Sequence, residues 1–337
     1  MALPRVSLAY PQGPSAIPRR SRAYLRSKQV SRTMVLVTGR SGRFRRAVAV
    51  SASCCAALAM SALPAASQSA LQAGQRVAVV TGSTSGLGQE LAVRLAAMDM
   101  YVVVHGRNAE RGKEVVAEIE AAGGRARFYQ ADFGSLGQTR AFGEAVLRDF
   151  DRLDVLINNA GFGSSPDERM VTEDGLEFRM QVNYLSHFML TQMWMPLLRS
   201  SAPSRIVNVS SGAQQPIDFD DVMIERSFSG GRAYAQSKLA QILFTVDLAE
   251  RLQGTGVVVN SLHPATYMDT RMVARAGVAP RATVDEGADA VMQLVTDDVG
   301  SGGYFNGLRP ARANAQAYDA EARRRLWALS EELTGDR

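Results

Sequence analysis

The chain has 337 residues, with 38 Lys and Arg against 33 Asp and Glu, a formal net charge of +5. Ten Arg and one Lys but no acidic residue precede residue 71, so residues 71–337 hold 27 basic and 33 acidic side chains, a net charge of −6. A nucleic-acid-binding body loses its electrostatic support, because no basic surplus remains there to neutralise phosphates. The two cysteines, Cys54 and Cys55, also fall before residue 71, so the body has neither a disulfide nor a thiol nucleophile. His105, His187 and His263 show no ligand-like spacing, and no metal centre is expected.

Residues 1–70 read as a leader. Residues 1–46 are rich in Arg, Ser and Pro, a composition that cannot build a core and is similar to an organellar transit peptide. Arg45 and Arg46 then precede an apolar, small-residue run at 47–66, as in a twin-arginine export signal. The expectation is a removable leader that sends the protein to a periplasm or an organelle. The alternative is a cytoplasmic protein with a disordered or mis-assigned N-terminus.

Residues 71–337 read as one α/β domain built on a parallel, doubly wound, Rossmann-type sheet. The organising stretch is RVAVVTGSTSGLG, residues 76–88. A valine-rich strand runs into a turn with Gly82, Gly86 and Gly88, and the apolar spacing of Leu87, Leu91 and Leu95 predicts a helix after it. Such a turn brings backbone N–H groups, including those near Ser85 and Leu87, up to a dinucleotide pyrophosphate. Further β-branched runs without polar alternation follow at 101–105, 126–130, 154–159, 205–210 and 257–262, as strands buried on both faces require.

Ligands of such sheets bind beyond the carboxyl ends of the strands, which singles out the polar groups placed there. The second strand ends in His105, Gly106, Arg107 and Asn108 with no carboxylate. A carboxylate there would grip the ribose hydroxyls of NAD(H), whereas a guanidinium suits a 2′-phosphate, so NADP(H) is expected in preference to NAD(H). Ser83 or Thr84 could add a hydroxyl to that phosphate. Asp132, before Phe133, could accept from an adenine amino group or could cap the helix that starts near Ser135. Asn159, Ala160 and Gly161 end the fourth strand, either leaving room for the nucleotide or forming a plain Asx turn.

Ser211 closes the next strand, and Tyr234 and Lys238 stand four apart on one helix face, where an ammonium beside a phenol favours proton transfer. TGSTSGLG, NNAG, VNVSS and YAQSK, in that order, resemble the short-chain dehydrogenase/reductase family. The resemblance is nearest to its retinol-dehydrogenase-like group, because 23 positions separate Ser211 from Tyr234.

The resemblance implies an NADP(H)-dependent oxidoreductase that interconverts a carbonyl and an alcohol. In it Tyr234 is the acid/base, Ser211 binds the substrate oxygen, and Lys238 holds the nicotinamide ribose and depresses the tyrosine pKa. Asn183 in QVNYLSHF supports a water in the proton relay, and Thr270 touches the carboxamide. Ala265 stands where the family has a glycine after the proline. A dinucleotide-binding protein without turnover, or an enone reductase or epimerase on the same fold, are the alternatives.

Segments 212–231 and 266–283 are long enough to cover a small-molecule substrate, and Met268, Met272 and Val273 suggest an apolar pocket. The helix expected at Tyr184–Leu198 is apolar on nearly every side. In the resembled family it pairs with its copy, which implies a homodimer or homotetramer.

Overall fold

Valine-rich segments become strands with every position buried. Val77–Val80 (β1), Tyr101–Gly106 (β2) and Val155–Asn158 (β4) have no exposed residue, as a sheet covered on both faces demands. The computed structural model describes residues 71–335, so the leader and the targeting read from it lie outside the described residues. The remaining strands are Arg125–Gln130 (β3), Ser204–Val209 (β5), Val257–His263 (β6), Tyr304–Asn306 (β7) and Arg309–Ala311 (β8). They form one sheet in the order β3-β2-β1-β4-β5-β6-β7-β8, parallel throughout except for β8, which pairs antiparallel with β7. The two short strands beyond β6 were not expected, since three-residue segments carry too little pattern to read.

Alternate residues of each strand face opposite layers. Val77 and Val79 point to one core, with α3 (Leu136–Asp149), α5 (Ser186–Ser200), α6 (Gly230–Arg251) and α9 (Ala320–Thr334). Ala78 and Val80 point to the other, with α1 (Gly86–Ala97), α2 (Ala109–Ala121) and α8 (Val284–Thr296). Each fully buried Val or Leu contributes about 1.5 to 3 kcal/mol, which is what holds three layers together. Two short helices, α4 (Phe178–Met180) and α7 (Arg271–Arg275), sit in the connections. Asn108, Ser135 and Ser229 cap α2, α3 and α6 with their side chains. Ser135, and not Asp132, is therefore the cap of α3.

The apolar helix expected at 184–198 begins in a π turn, Gln181–Leu185, and continues as α5. Its first turns are covered by the chain's own α9, whereas Met193, Met195 and Leu197 further along are half-buried and Pro196 is exposed. Trp327 packs on Phe188 at 5.1 Å and on Phe244 at 5.8 Å between ring centroids, and the Tyr184 hydroxyl lies 2.7 Å from Ser330 Oγ.

Strand order reverses between β1 and β4, so the turns after these two strands lie side by side. Crevices at such switch points receive ligands.

Candidate active site

The glycine turn is a cradle in which added Cβ atoms have no room. Gly82 (φ 66°) would place one 2.7 Å from Ala160 Cα, and Gly88 would drive one into Gly82 O and within 2.6 Å of Asn159 Nδ2. Gly86 (φ 56°) adopts the left-handed conformation at the first residue of α1. Ser85 is the N-cap of α1 yet makes no side-chain cap bond, which leaves its hydroxyl and the helix N–H groups for an anion. Leu87 is buried in the core, so only its backbone can serve a ligand. Asn159 ties the end of β4 to this turn, donating from Nδ2 to Thr81 O at 2.9 Å and to Gly82 O at 3.3 Å. Gly161 has Lys238 Nζ 3.6 Å from its Cβ position, so the cradle opens directly onto the lysine. These residues fit a dinucleotide.

At the far end of the cradle Arg107 Nη1 faces Asp132 Oδ2 at 3.5 Å, and both side chains are about half exposed. Asp132 Oδ1 also accepts from Gly134 N at 2.9 Å. Thr84 Oγ1 lies 2.9 Å from the Cβ position of Gly106, at the mouth of β2 beside Arg107. Ser83 is different. Its buried hydroxyl donates to Val80 O at 2.7 Å and accepts from His105 N at 2.9 Å, so it is committed inside the protein. The Phe133 ring stacks on His105 at 4.3 Å inside the core, leaving only its backbone for adenine.

Ser211, Tyr234 and Lys238 are brought together at the ends of β5 and α6. Ser211 Oγ accepts from Ala213 N at 3.1 Å and sits close enough to the Tyr234 phenol to lower its proton affinity, and Lys238 Nζ lies 5.9 Å from the centre of the Tyr234 ring. Burial pushes the Tyr234 phenol above its ordinary value, and the nearby Ser211 hydroxyl offsets part of that rise. Burial pushes Lys238 down to about 7, and its Nζ donates to Val209 O at 2.8 Å and to Gln241 Oε1 at 2.9 Å.

Asn183 lies within the π turn, a local widening common at functional sites. Its Oδ1 accepts from Phe162 N at 2.7 Å and its Nδ2 donates to Ser237 Oγ at 2.8 Å, joining the loop after β4 to α6. Thr270 packs its methyl over Gly86 at 3.2 Å from the Cβ position there, against the glycine turn. Met272 lies against Gly163 in the loop after β4, whereas Met268 packs on Gly287 of α8 and belongs to the core, contrary to expectation.

Several supporting residues were not foreseen. Thr81 Oγ1 accepts from Asn159 N at 2.9 Å and Ala160 N at 3.0 Å, and it lies 3.0 Å from His187 Nε2. His187 Nδ1 faces the carbonyl of Asn183 at 2.9 Å, which can only accept, so the ring proton sits on Nδ1 and Nε2 takes the Thr81 proton. Arg179, fully buried, donates to the carbonyls of Gly163, Ser164 and Pro166 and fixes the substrate-side loop. A lone His and a lone Arg carry no spacing signal, so only the fold reveals them.

Comparison with known proteins agrees with this geometry. The family model for short chain dehydrogenases matches residues 76–279. Mouse retinol dehydrogenase 13 is 35% identical over 77% of this chain and 84% of its own length. An uncharacterised protein from Mycobacterium paratuberculosis shares the fold with a TM-score of 0.66 and 31% identity, over 77% of this chain and 94% of that one. A short chain dehydrogenase from Burkholderia cenocepacia, solved in complex with NADP, has a TM-score of 0.57 and 30% identity over 69% of this chain and 96% of that one. The match spans the strands and helices that carry the cradle and the Ser-Tyr-Lys group. The chain accordingly belongs to the short-chain dehydrogenase family, in its retinol-dehydrogenase-like group, and is an NAD(P)-dependent oxidoreductase.

Proposed function

We propose that the protein interconverts an apolar aldehyde or ketone and its alcohol with NADP(H), Tyr234 carrying the proton. The observation that bears most weight is the convergence of Ser211, Tyr234 and Lys238 beside the glycine cradle, with Lys238 one turn beyond Tyr234 on α6 and its Nζ 5.9 Å from the Tyr234 ring centre. NADPH, when bound, supplies the hydride. Tyr234, held protonated at neutral pH by burial, gives its proton to the substrate oxygen, and Ser211 donates a hydrogen bond to that oxygen as negative charge develops on it. Lys238 binds the nicotinamide ribose, and the anionic dinucleotide favours its charged form. Arg107, with Thr84 beside it, takes the 2′-phosphate. The substrate class follows from relatives named retinol dehydrogenases and from Phe162 and Met272 on the substrate side.

Loss of NADPH absorbance with a panel of aldehydes, ketones and enones tests this reading. Turnover of apolar aldehydes or ketones is expected. Turnover of enones alone would move the reaction to double-bond reduction, and none at all would leave a dinucleotide-binding protein. Among the described residues no helix is long and apolar enough to cross a membrane. The leader is proposed to be cleaved on targeting, and finding Met1 intact on protein from its native source would reject this.

A further inference from the structure

An ammonium has three donors, and Lys238 commits two of them inside the protein, to Val209 O at 2.8 Å and to Gln241 Oε1 at 2.9 Å. Gln241 follows Lys238 by three residues on α6 and is itself buried. Its Nε2, also buried, has no hydrogen-bond partner among the described residues. A side chain present for packing alone would not carry an unsatisfied amide N–H here, since an apolar side chain of similar volume avoids that cost. The amide is there for its oxygen.

We propose that Gln241 is a positioning residue of the reaction: its side-chain carbonyl and that of the Val209 backbone hold the Lys238 ammonium from two sides, leaving one N–H for the ribose of the dinucleotide and keeping the charge close to the Tyr234 phenol. This rests on the reading of Tyr234 and Lys238 given above. A neutral acceptor suits the task, because a carboxylate in its place would pair with the ammonium and cancel its field at the phenol.

The titratable groups that face Nζ are Tyr234 on the same helix and His187 on α5, which is disfavoured as imidazolium partly by the Lys238 charge. β5 contributes a backbone carbonyl and the loop after β4 contributes Gly161. No carboxylate contributes to the proton affinity of Lys238, which burial alone pushes down to about 7. The ammonium therefore depends on its two carbonyl acceptors.

The test uses Gln241→Leu and Gln241→Glu in the full chain, with NADP+ affinity by calorimetry and the pH profile of kcat for oxidation of an alcohol that the wild type turns over. Oxidation needs the phenolate, so kcat falls as pH falls through the tyrosine's apparent pKa, and losing a nearby positive charge moves that limb to higher pH. Gln241→Leu should bind NADP+ about tenfold more weakly and move the limb up by about one unit. Gln241→Glu keeps an acceptor oxygen and should bind NADP+ within about threefold of the wild type, yet its limb should also move up. A residue that only packs would lower the melting temperature and leave the limb in place, and unmoved limbs in both variants would overturn the proposal. If Gln241→Leu does not fold, the Gln241→Glu profile still decides. Absence of turnover in the wild type would instead overturn the reading of Tyr234, and the NADP+ affinities of the variants would still report on Gln241, equal affinities counting against it.

Discussion

Arg107 Nη1 lies 3.5 Å from Asp132 Oδ2, across the ends of neighbouring strands β2 and β3. With both side chains about half exposed the pair contributes at most about 1 kcal/mol, so the guanidinium is oriented without being consumed. Arg107→Ala is expected to weaken NADPH by about 1.5 to 3 kcal/mol, the range for a hydrogen bond to a charged group, and NADH far less. Binding titrations with both cofactors check this. Equal weakening of the two, or a wild type that prefers NADH, would contradict it.

Gly88→Ala tests the cradle. The new methyl group would meet Gly82 O of the turn and Asn159 Nδ2, which ties the end of β4 to it, and neither can withdraw without opening the turn. An overpacking cost of about 1 to 3 kcal/mol is expected, together with loss of dinucleotide affinity. A variant with wild-type melting temperature and affinity would show that the turn is not held as described.

Acid should destabilise the body through two buried histidines. Burial pushes His105 and His187 down to about 3, so both are neutral in the fold. The unfolded chain protonates them near the ordinary value of about 6.5. Between those limits the unfolded state binds more protons, so stability rises with pH and falls on acidification, by about 1.4 kcal/mol per pH unit for each histidine. Urea unfolding from pH 7 to pH 4 should show this slope, reduced by one histidine's share in His105→Gln. An unchanged slope in that variant would mean that His105 is not buried neutral.

Trp327→Ala tests the cover that α9 places over α5. Trp327 packs on Phe188 and Phe244 and has the Arg251 guanidinium 3.7 Å from its ring centre. Truncation should cost about 3 to 5 kcal/mol in denaturant unfolding. The exposed aromatic face should also raise the mass seen by light scattering relative to the wild type. A loss below about 1 kcal/mol with unchanged mass would mean that α9 does not cover this face in solution.

The strands most legible in the sequence were those buried on both faces, because β-branched runs such as Val102–Val104 have one structural use. The cradle was legible for a related reason: Gly82, Gly86 and Gly88 stand where a side chain cannot. The rest required the fold. Ser83 and Thr84 are adjacent hydroxyls in the same turn, and only the register of β1 against β2 shows that Ser83 is spent on His105 while Thr84 faces Gly106. His187 and Thr81 are 106 positions apart and meet because α5 crosses the switch point. At the start of the apolar stretch 184–198 the cover over Tyr184 and Phe188 comes from Trp327 and Ser330, more than 130 positions away, a contact that no local spacing announces.

Tyr234→Phe tests the proposed mechanism most directly, since it keeps the ring beside Lys238 and removes only the hydroxyl proposed to carry the proton. The measurement pairs NADPH affinity with the steady-state rate of carbonyl reduction on a substrate that the wild type accepts. Affinity should stay within about threefold, and kcat should fall by a factor on the order of 100 or more. A variant that binds NADPH and turns over at the wild-type rate would remove Tyr234 from the reaction.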